Sequence, residues 1–252
     1  MKSLIAVALL STAALAAPAM AGNIYMTGAG NPWGQTTNEQ AMDAAFGAGN
    51  WTKLQGFTAS AFTGNSFVFM DGGDSQATEF GNFVTANSAA FGSFLASGGH
   101  ALVQVAPNQN DYTSYVLPEG LTIDGIHDYS YPTASSTASL TAAGLAAGLD
   151  QNGAGASWMG GYFAHSAVFG GNCLISGQGG CIFANAGNLW AGGETTTNFH
   201  YHGDPLQLRV TELKLASGNA AGAVPEPASW AMMIAGFGLV GAVMRRRATM
   251  LA

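Results

Sequence analysis

The chain has 252 residues, only 8% of them charged and 48% hydrophobic, with 36 glycines and a formal net charge of −7. Globular proteins carry about 25% charged residues. The acidic balance excludes a basic nucleic-acid binder, whose phosphate contacts need clustered Lys and Arg, and the apolar content excludes a charged disordered chain.

Residues 1–21 (MKSLIAVALLSTAALAAPAMA) read as a secretory signal peptide. Lys2 supplies the positive start, residues 4–15 the apolar core, and Ala19-Met20-Ala21 the small-x-small cleavage site. Cleavage by signal peptidase is expected between Ala21 and Gly22. The alternative is a buried N-terminal helix.

The exported body, residues 22–215, starts with a short β-type run at 23–27 (NIYMT) ending at Gly28. Residues 37–46 have helical character, with Thr37 or Asn38 as a possible cap. A second strand is expected at 53–57. Residues 66–70 (SFVFM) form an uncharged run that suits a strand covered on both faces. Phe80, Phe83, Val84, Phe91, Phe94 and Leu95 then lie on one helical stripe, stopped by Gly98-Gly99. Residues 101–106 (ALVQVA) are another strand, closed by Pro107.

Strand alternating with helix predicts βαβ units. The expected fold is α/β, a mostly parallel sheet with flanking helices, and the alternative is an all-β sandwich that absorbs the Gly-rich second half. A helix over residues 80–95 discriminates between the two. Further strands are expected at 115–117, 121–123, 162–169, 174–175 and 182–183, and an Ala-rich helix at 138–149. Residues 206–216 fit a helix or a strand, and their length favours helix. Residues 216–224 (ASGNAAGAV) read as a small-residue linker.

The hydrophobic strand SFVFMDGGD, the helix after it and the strand in GGHALVQVAP resemble a class I glutamine-amidotransferase-like or flavodoxin-like domain. Catalytic amidotransferases carry a nucleophilic Cys at a sharp strand-to-helix turn and a His-x-Glu pair. Neither pattern is present here, so the resemblance implies a fold and no activity.

The C-terminus, residues 225–252, begins with Pro225-Glu226-Pro227, continues with an uncharged run at 228–244 and closes on Arg245, Arg246 and Arg247. Seventeen residues just cross a thin hydrocarbon core, and the Arg cluster holds its end on the cytoplasmic side. PEPASWA at 225–231, the Gly236-Phe237-Gly238 centre and the Arg cluster together resemble the PEP-CTERM sorting signal of the PEPxxWA type. The resemblance implies an exosortase as partner, which recognises the Pro-Glu-Pro motif and removes the helix. It implies a Gram-negative exopolysaccharide producer, a transient inner-membrane anchor, and a final place on the cell surface or in the extracellular matrix. A permanent single-pass anchor is the alternative.

Cys173 and Cys181 are the only cysteines, separated by the seven residues LISGQGG, and in an exported chain they are expected to form a disulfide across a hairpin. Gly28-Ala29-Gly30 lacks the third glycine of a dinucleotide loop and an acidic partner, and no cofactor is expected. His200 and His202 would share a strand face and bind a metal with Asp204 or Glu194, though a polar surface loop is the plainer reading. Asp71 and Asp74 frame a Gly-Gly turn that reads as a tight turn or a Ca²⁺ site. No catalytic set is assembled. The expectation is a non-catalytic surface or matrix protein with exopolysaccharide binding as an extension. The competing expectation is an extracellular hydrolase of polysaccharide or another polymer, using Asp71, Asp74, His200 and His202.

Overall fold

In the segment NSFVFMD alternate side chains enter different cores, and this sets the architecture. The computed structural model describes residues 22–108, 114–125, 137–149, 157–159, 164–177, 180–197, 199 and 206–218. Strand β3 (Asn65–Asp71) sends Phe67 and Phe69 to one side of the sheet and Val68 and Met70 to the other, all fully buried. β1 (Gly22–Thr27) does the same with Tyr25 against Ile24 and Met26, and β4 (His100–Gln104) with Leu102 against Ala101 and Val103.

Between these strands lie α1 (Thr37–Phe46), β2 (Trp51–Gln55), α2 (Ala77–Ala86) and α3 (Ser88–Ala96). Then come β5 (Ser114–Val116), β6 (Thr122–Gly125), β7 (Thr137–Leu140), α4 (Ala142–Ala147), β8 (Ser157–Met159), β9 (Ser166–Phe169) and β10 (Asn172–Gly177). The last elements described are β11 (Gly180–Ala186), β12 (Leu189–Gly192) and α5 (Leu206–Ala216). The main sheet has nine strands in the order β2-β1-β3-β4-β12-β11-β10-β7-β8. The core of α1 and α5 covers one face, and that of α2, α3 and the small sheet β5-β6-β9 covers the other.

The fold is α/β, as expected, and the helical segment at 80–95 removes the all-β alternative. The sheet is parallel only from β2 to β12; β12, β11, β10, β7 and β8 pair antiparallel. Parallel strands need helical crossovers, which the first half supplies, whereas the second half joins β10, β11 and β12 by tight hairpins.

Two helices replace the single one expected at 80–95. Asn87 leaves helical geometry (φ −117°, ψ 18°), and its side-chain amide donates to the Phe83 carbonyl at 2.8 Å. Asn competes for backbone groups in this way and breaks helices. The apolar stripe survives the break, and all six of its residues are buried. The helix expected at 138–149 begins only at Ala142, because Thr141 caps it by accepting from the Gly144 N–H, and residues 137–140 join the sheet. The segment 206–216 is helical.

Among the described residues no helix is long and apolar enough to cross a membrane. The expected signal peptide, linker and span at 228–244 lie outside those residues, except that α5 reaches Ala216 and a turn follows to Gly218. Cys173 and Cys181 sit on the β10–β11 hairpin with their sulfurs at disulfide distance and their Cα atoms 5.6 Å apart.

Candidate functional site

The chain leaves β1 toward β2 on one side and returns to β3 on the other, so the strand order reverses between β1 and β3. Ligands of open α/β sheets bind outside the carboxyl ends of strands at such a switch point. Here those ends carry Gly28 after β1, Asp71-Gly72-Gly73-Asp74 at β3, Gln104 to Asn108 at β4 and Gly192 to Thr197 at β12.

Asp71 is 3% exposed. Its Oδ2 accepts from Asn38 Nδ2 on α1 at 2.7 Å, and its Oδ1 accepts from the Gly73 N–H at 3.0 Å. Burial pushes its pKa up to about 6, against the opposing pull of the Gly73 N–H, Arg209 and Asn38. Tyr25, beside Asn38, is raised well above 10 by burial and by the Asp71 charge. Gly72 has to be glycine, since a Cβ there would stand 2.6 Å from Phe80.

Asp74 is a clamp. Its Oδ2 accepts from the Trp33 backbone N–H at 3.2 Å and its Oδ1 from Asn108 Nδ2 at 3.0 Å. Trp33 and Asp74 both have φ 57°, a left-handed conformation that bulky L-residues avoid. The Trp33 ring lies 4.3 Å from Phe199, tilted at 34°, and meets His165 edge-on at 5.4 Å. His165 Nδ1 is 2.8 Å from the Pro107 carbonyl, which only accepts, so the proton sits on Nδ1. Burial lowers the His165 pKa, against the opposing pull of the Pro107 carbonyl, and so favours the neutral ring.

Behind this rim lies a buried charge group. Arg209 on α5 reaches Glu212 at 3.2 Å and Glu194 at 3.7 Å, donates to the Thr195 carbonyl and stacks over Phe69. Burial raises Glu212 to about 7, opposed by Arg209. Thr37 Oγ1 donates to the Thr197 carbonyl, so α1 and α5 together pin the Thr195-Thr196-Thr197 run to the sheet edge.

The structure thus brings Asp71 and Asp74 to the rim. Glu194, considered as a metal ligand, pairs with Arg209. His200, His202 and Asp204 lie outside the described residues. Among the described residues no group of three or more His, Cys, Asp or Glu side chains could hold a metal. The Gly28-Ala29-Gly30 loop is held by Gln76, which accepts from the Gly28 N–H and donates to the Gly30 carbonyl. The sequence pattern missed Trp33, Asn108, His165 and Gln104 as site residues. A groove of about 680 Å³ beside β5, lined by Thr85, Ser88, Tyr115 and Val116, shares none of these residues.

Comparison with known proteins finds no curated protein that matches the chain. Among solved structures, the chain is similar to a GMP synthase component from Thermoplasma acidophilum, at 10% identity and a TM-score of 0.48. That alignment covers 80% of this chain and 94% of the other. Residues 223–247 match the PEP-CTERM protein-sorting motif, so the chain carries the tail of an exosortase substrate.

Proposed function

We propose that the exported body is a non-catalytic glycan-binding module of the cell surface or exopolysaccharide matrix, delivered by signal peptidase and exosortase. The observation that carries this reading is the Trp33–Asp74 pair: two strained residues bonded to each other across the switch point. Backbone strain of this kind clusters at ligand sites, where the surroundings must over-determine it. An indole ring held at the carboxyl ends of the strands is chemistry that stacks on a sugar face.

Two features support binding rather than catalysis. The Gly72 and Asp74 N–H groups are spent on the Gln104 and Ala106 carbonyls, so the Gly-Gly turn does not offer them to an oxyanion. Both oxygens of Asp74 hold the Trp33 backbone and Asn108. The testing experiment is retention of the exported protein on immobilised exopolysaccharide. Retention should disappear in Trp33→Ala with the circular dichroism unchanged, and wild-type protein that passes through unretained overturns the reading.

The hydrolase reading keeps one observation in its favour, the Asp71 carboxyl at about 6, poised for general acid chemistry. Release of reducing ends by wild type and not by Asp71→Asn would establish it.

A further inference from the structure

The parallel strands all start at one end of the body, and the last described residue lies at that end too. α5 runs from the carboxyl ends of the strands, where Arg209 meets Glu194, back to their amino ends. A turn after it reaches Gly218, where a Cβ would stand 3.0 Å from the ring of His100, the first residue of β4. Gly22 opens β1 at the same end: it pairs with Asn65 at the start of β3, and β3 in turn pairs Phe67 with His100. Both ends of the body therefore leave from one face, opposite the rim that holds Trp33 and Asp74.

The connection from that face to the sorting tail is short. Nine residues, 219–227, separate Gly218 from the apolar run at 228–244. A coil of that length spans roughly 16–19 Å, and full extension gives at most about 35 Å. A body of about 190 residues has a radius of gyration of about 16 Å and is about 42 Å across. Bringing its opposite end to a bilayer would need a tether running half-way round it, about 65 Å. While the tail holds the chain, the amino-end face is the one beside the bilayer.

Charge fits the same face to that position. The turns that lead into β2, β3, β4, β10 and β12 at this end are 47–50 (GAGN), 63–64 (TG), 97–99 (SGG), 170–171 (GG) and 187–188 (GN), and none holds Asp, Glu, Lys or Arg. Among the described residues, the charges near them are Glu119 beside Gly187, Asp43 bonded to Trp51 Nε1, and Lys214 in the last turn of α5. The carboxyl end and the layer behind it hold six acids, Glu39, Asp71, Asp74, Glu79, Glu194 and Glu212, against Lys53 and Arg209. Residues 22–224 as a whole carry a net charge of −10, from 3 basic and 13 acidic residues (14 less Glu226). An anionic bilayer repels the acidic end of such a body and meets little charge at the other.

We infer that the amino-end face is a membrane-docking surface, laid against anionic lipid headgroups in the anchored precursor, with the acidic crevice turned away from the bilayer. The inference rests on the sorting tail and its apolar run, and it is independent of what the crevice binds.

The test uses the full chain, purified from cells that lack exosortase and reconstituted in vesicles of mixed phosphatidylcholine and phosphatidylglycerol. Two exposed positions each take a thiol-linked fluorophore, Thr63→Cys at the amino end and Ser75→Cys at the carboxyl end, with the unsubstituted chain as labelling blank. Lipid carrying a headgroup nitroxide should quench the Thr63→Cys label at least about threefold more than the Ser75→Cys label, because contact quenching does not reach across the body. A second form, with about 30 Gly and Ser residues inserted after Ala220, has a tether long enough to let the body turn over. There the difference should persist on the anionic vesicles and fall on pure phosphatidylcholine, since charge alone then orients the body. Equal or reversed quenching in the chain of native length overturns the inference. Loss of the difference in the lengthened chain on anionic vesicles overturns docking by charge. A full chain that does not float with the vesicles removes the anchor and the inference with it, and leaves the glycan reading to its own retention test.

Discussion

The backbone N–H of Trp33 donates to the Asp74 carboxylate at 3.2 Å, and each of the two residues holds a left-handed backbone with φ 57°. They lie 41 residues apart in the chain, one after β1 and one after β3. Each residue offsets part of the other's strain: the charge-assisted bond stabilises a conformation that neither loop would adopt alone.

This makes Asp74 a site of unusual sensitivity. Asp74→Ala removes the bonds to Trp33 and Asn108 while keeping a Cβ at positive φ, and should cost roughly 2–3 kcal/mol. Asp74→Gly loses the same bonds but relieves the strain, so it should recover about 1 kcal/mol of that. Urea midpoints of the two variants check the order. If Asp74→Gly is no more stable than Asp74→Ala, the left-handed backbone is not a source of strain.

The pH dependence of stability follows from two buried carboxyls. Asp71 moves from 3.8 to about 6 on folding, so the native state holds its proton more tightly than the unfolded chain does. Its contribution is fully present below 3.8 and is lost as pH rises through about 6. The gap corresponds to about 3 kcal/mol. Glu212 acts in the same direction between 4.5 and about 7. The melting temperature should therefore fall from pH 4 to pH 8. Glu212→Gln, a mimic of the protonated acid, should flatten the upper part of that profile, and Asp71→Asn the lower part. A melting temperature that rises over this range would contradict both shifts.

The first half of the fold was legible because β1, β3 and β4 each carry an apolar run bounded by Gly or Pro, and the Phe80 to Leu95 stripe has one period throughout. The second half was less so. β5 and β8 have three residues each and β6, β7, β9 and β12 four, too few for alternation to stand out from a Gly-rich background. The site divides in the same way. Asp71 and Asp74 were visible as carboxylates at a strand end. Trp33 was not, because sequence gives no sign that a tryptophan will take a conformation suited to glycine. Nor could spacing reveal His165, whose contacts to Trp33 and Pro107 depend on the tertiary fold.

The hairpin cysteines allow a direct measurement. Closing a loop of this length should contribute about 2 kcal/mol through the unfolded chain. Replacing both with serine should lower the unfolding midpoint accordingly, with little change in circular dichroism. Alkylation of the unreduced exported protein should leave both residues unlabelled. Label on two free thiols would refute the pairing.

The two chain ends set the last prediction. Signal peptidase cleavage after Ala21, expected from the Ala19-Met20-Ala21 pattern, should leave Gly22 as the mature N-terminus, and intact mass from the native host checks it. The C-terminal test is the Pro225-Glu226-Pro227 motif within the matched sorting tail. In cells that lack exosortase, the chain should fractionate with the inner membrane, held by the apolar run at 228–244 and by Arg245, Arg246 and Arg247 on the cytoplasmic side. Replacing Pro225 and Pro227 by Ala should give the same retention in cells with the enzyme, because the span remains while the recognition element is gone. Replacing the three arginines by Gln should reduce anchoring without touching the motif. Equal release in all three cases would show that the tail does not govern the route, and the body would then reach the surface by secretion alone.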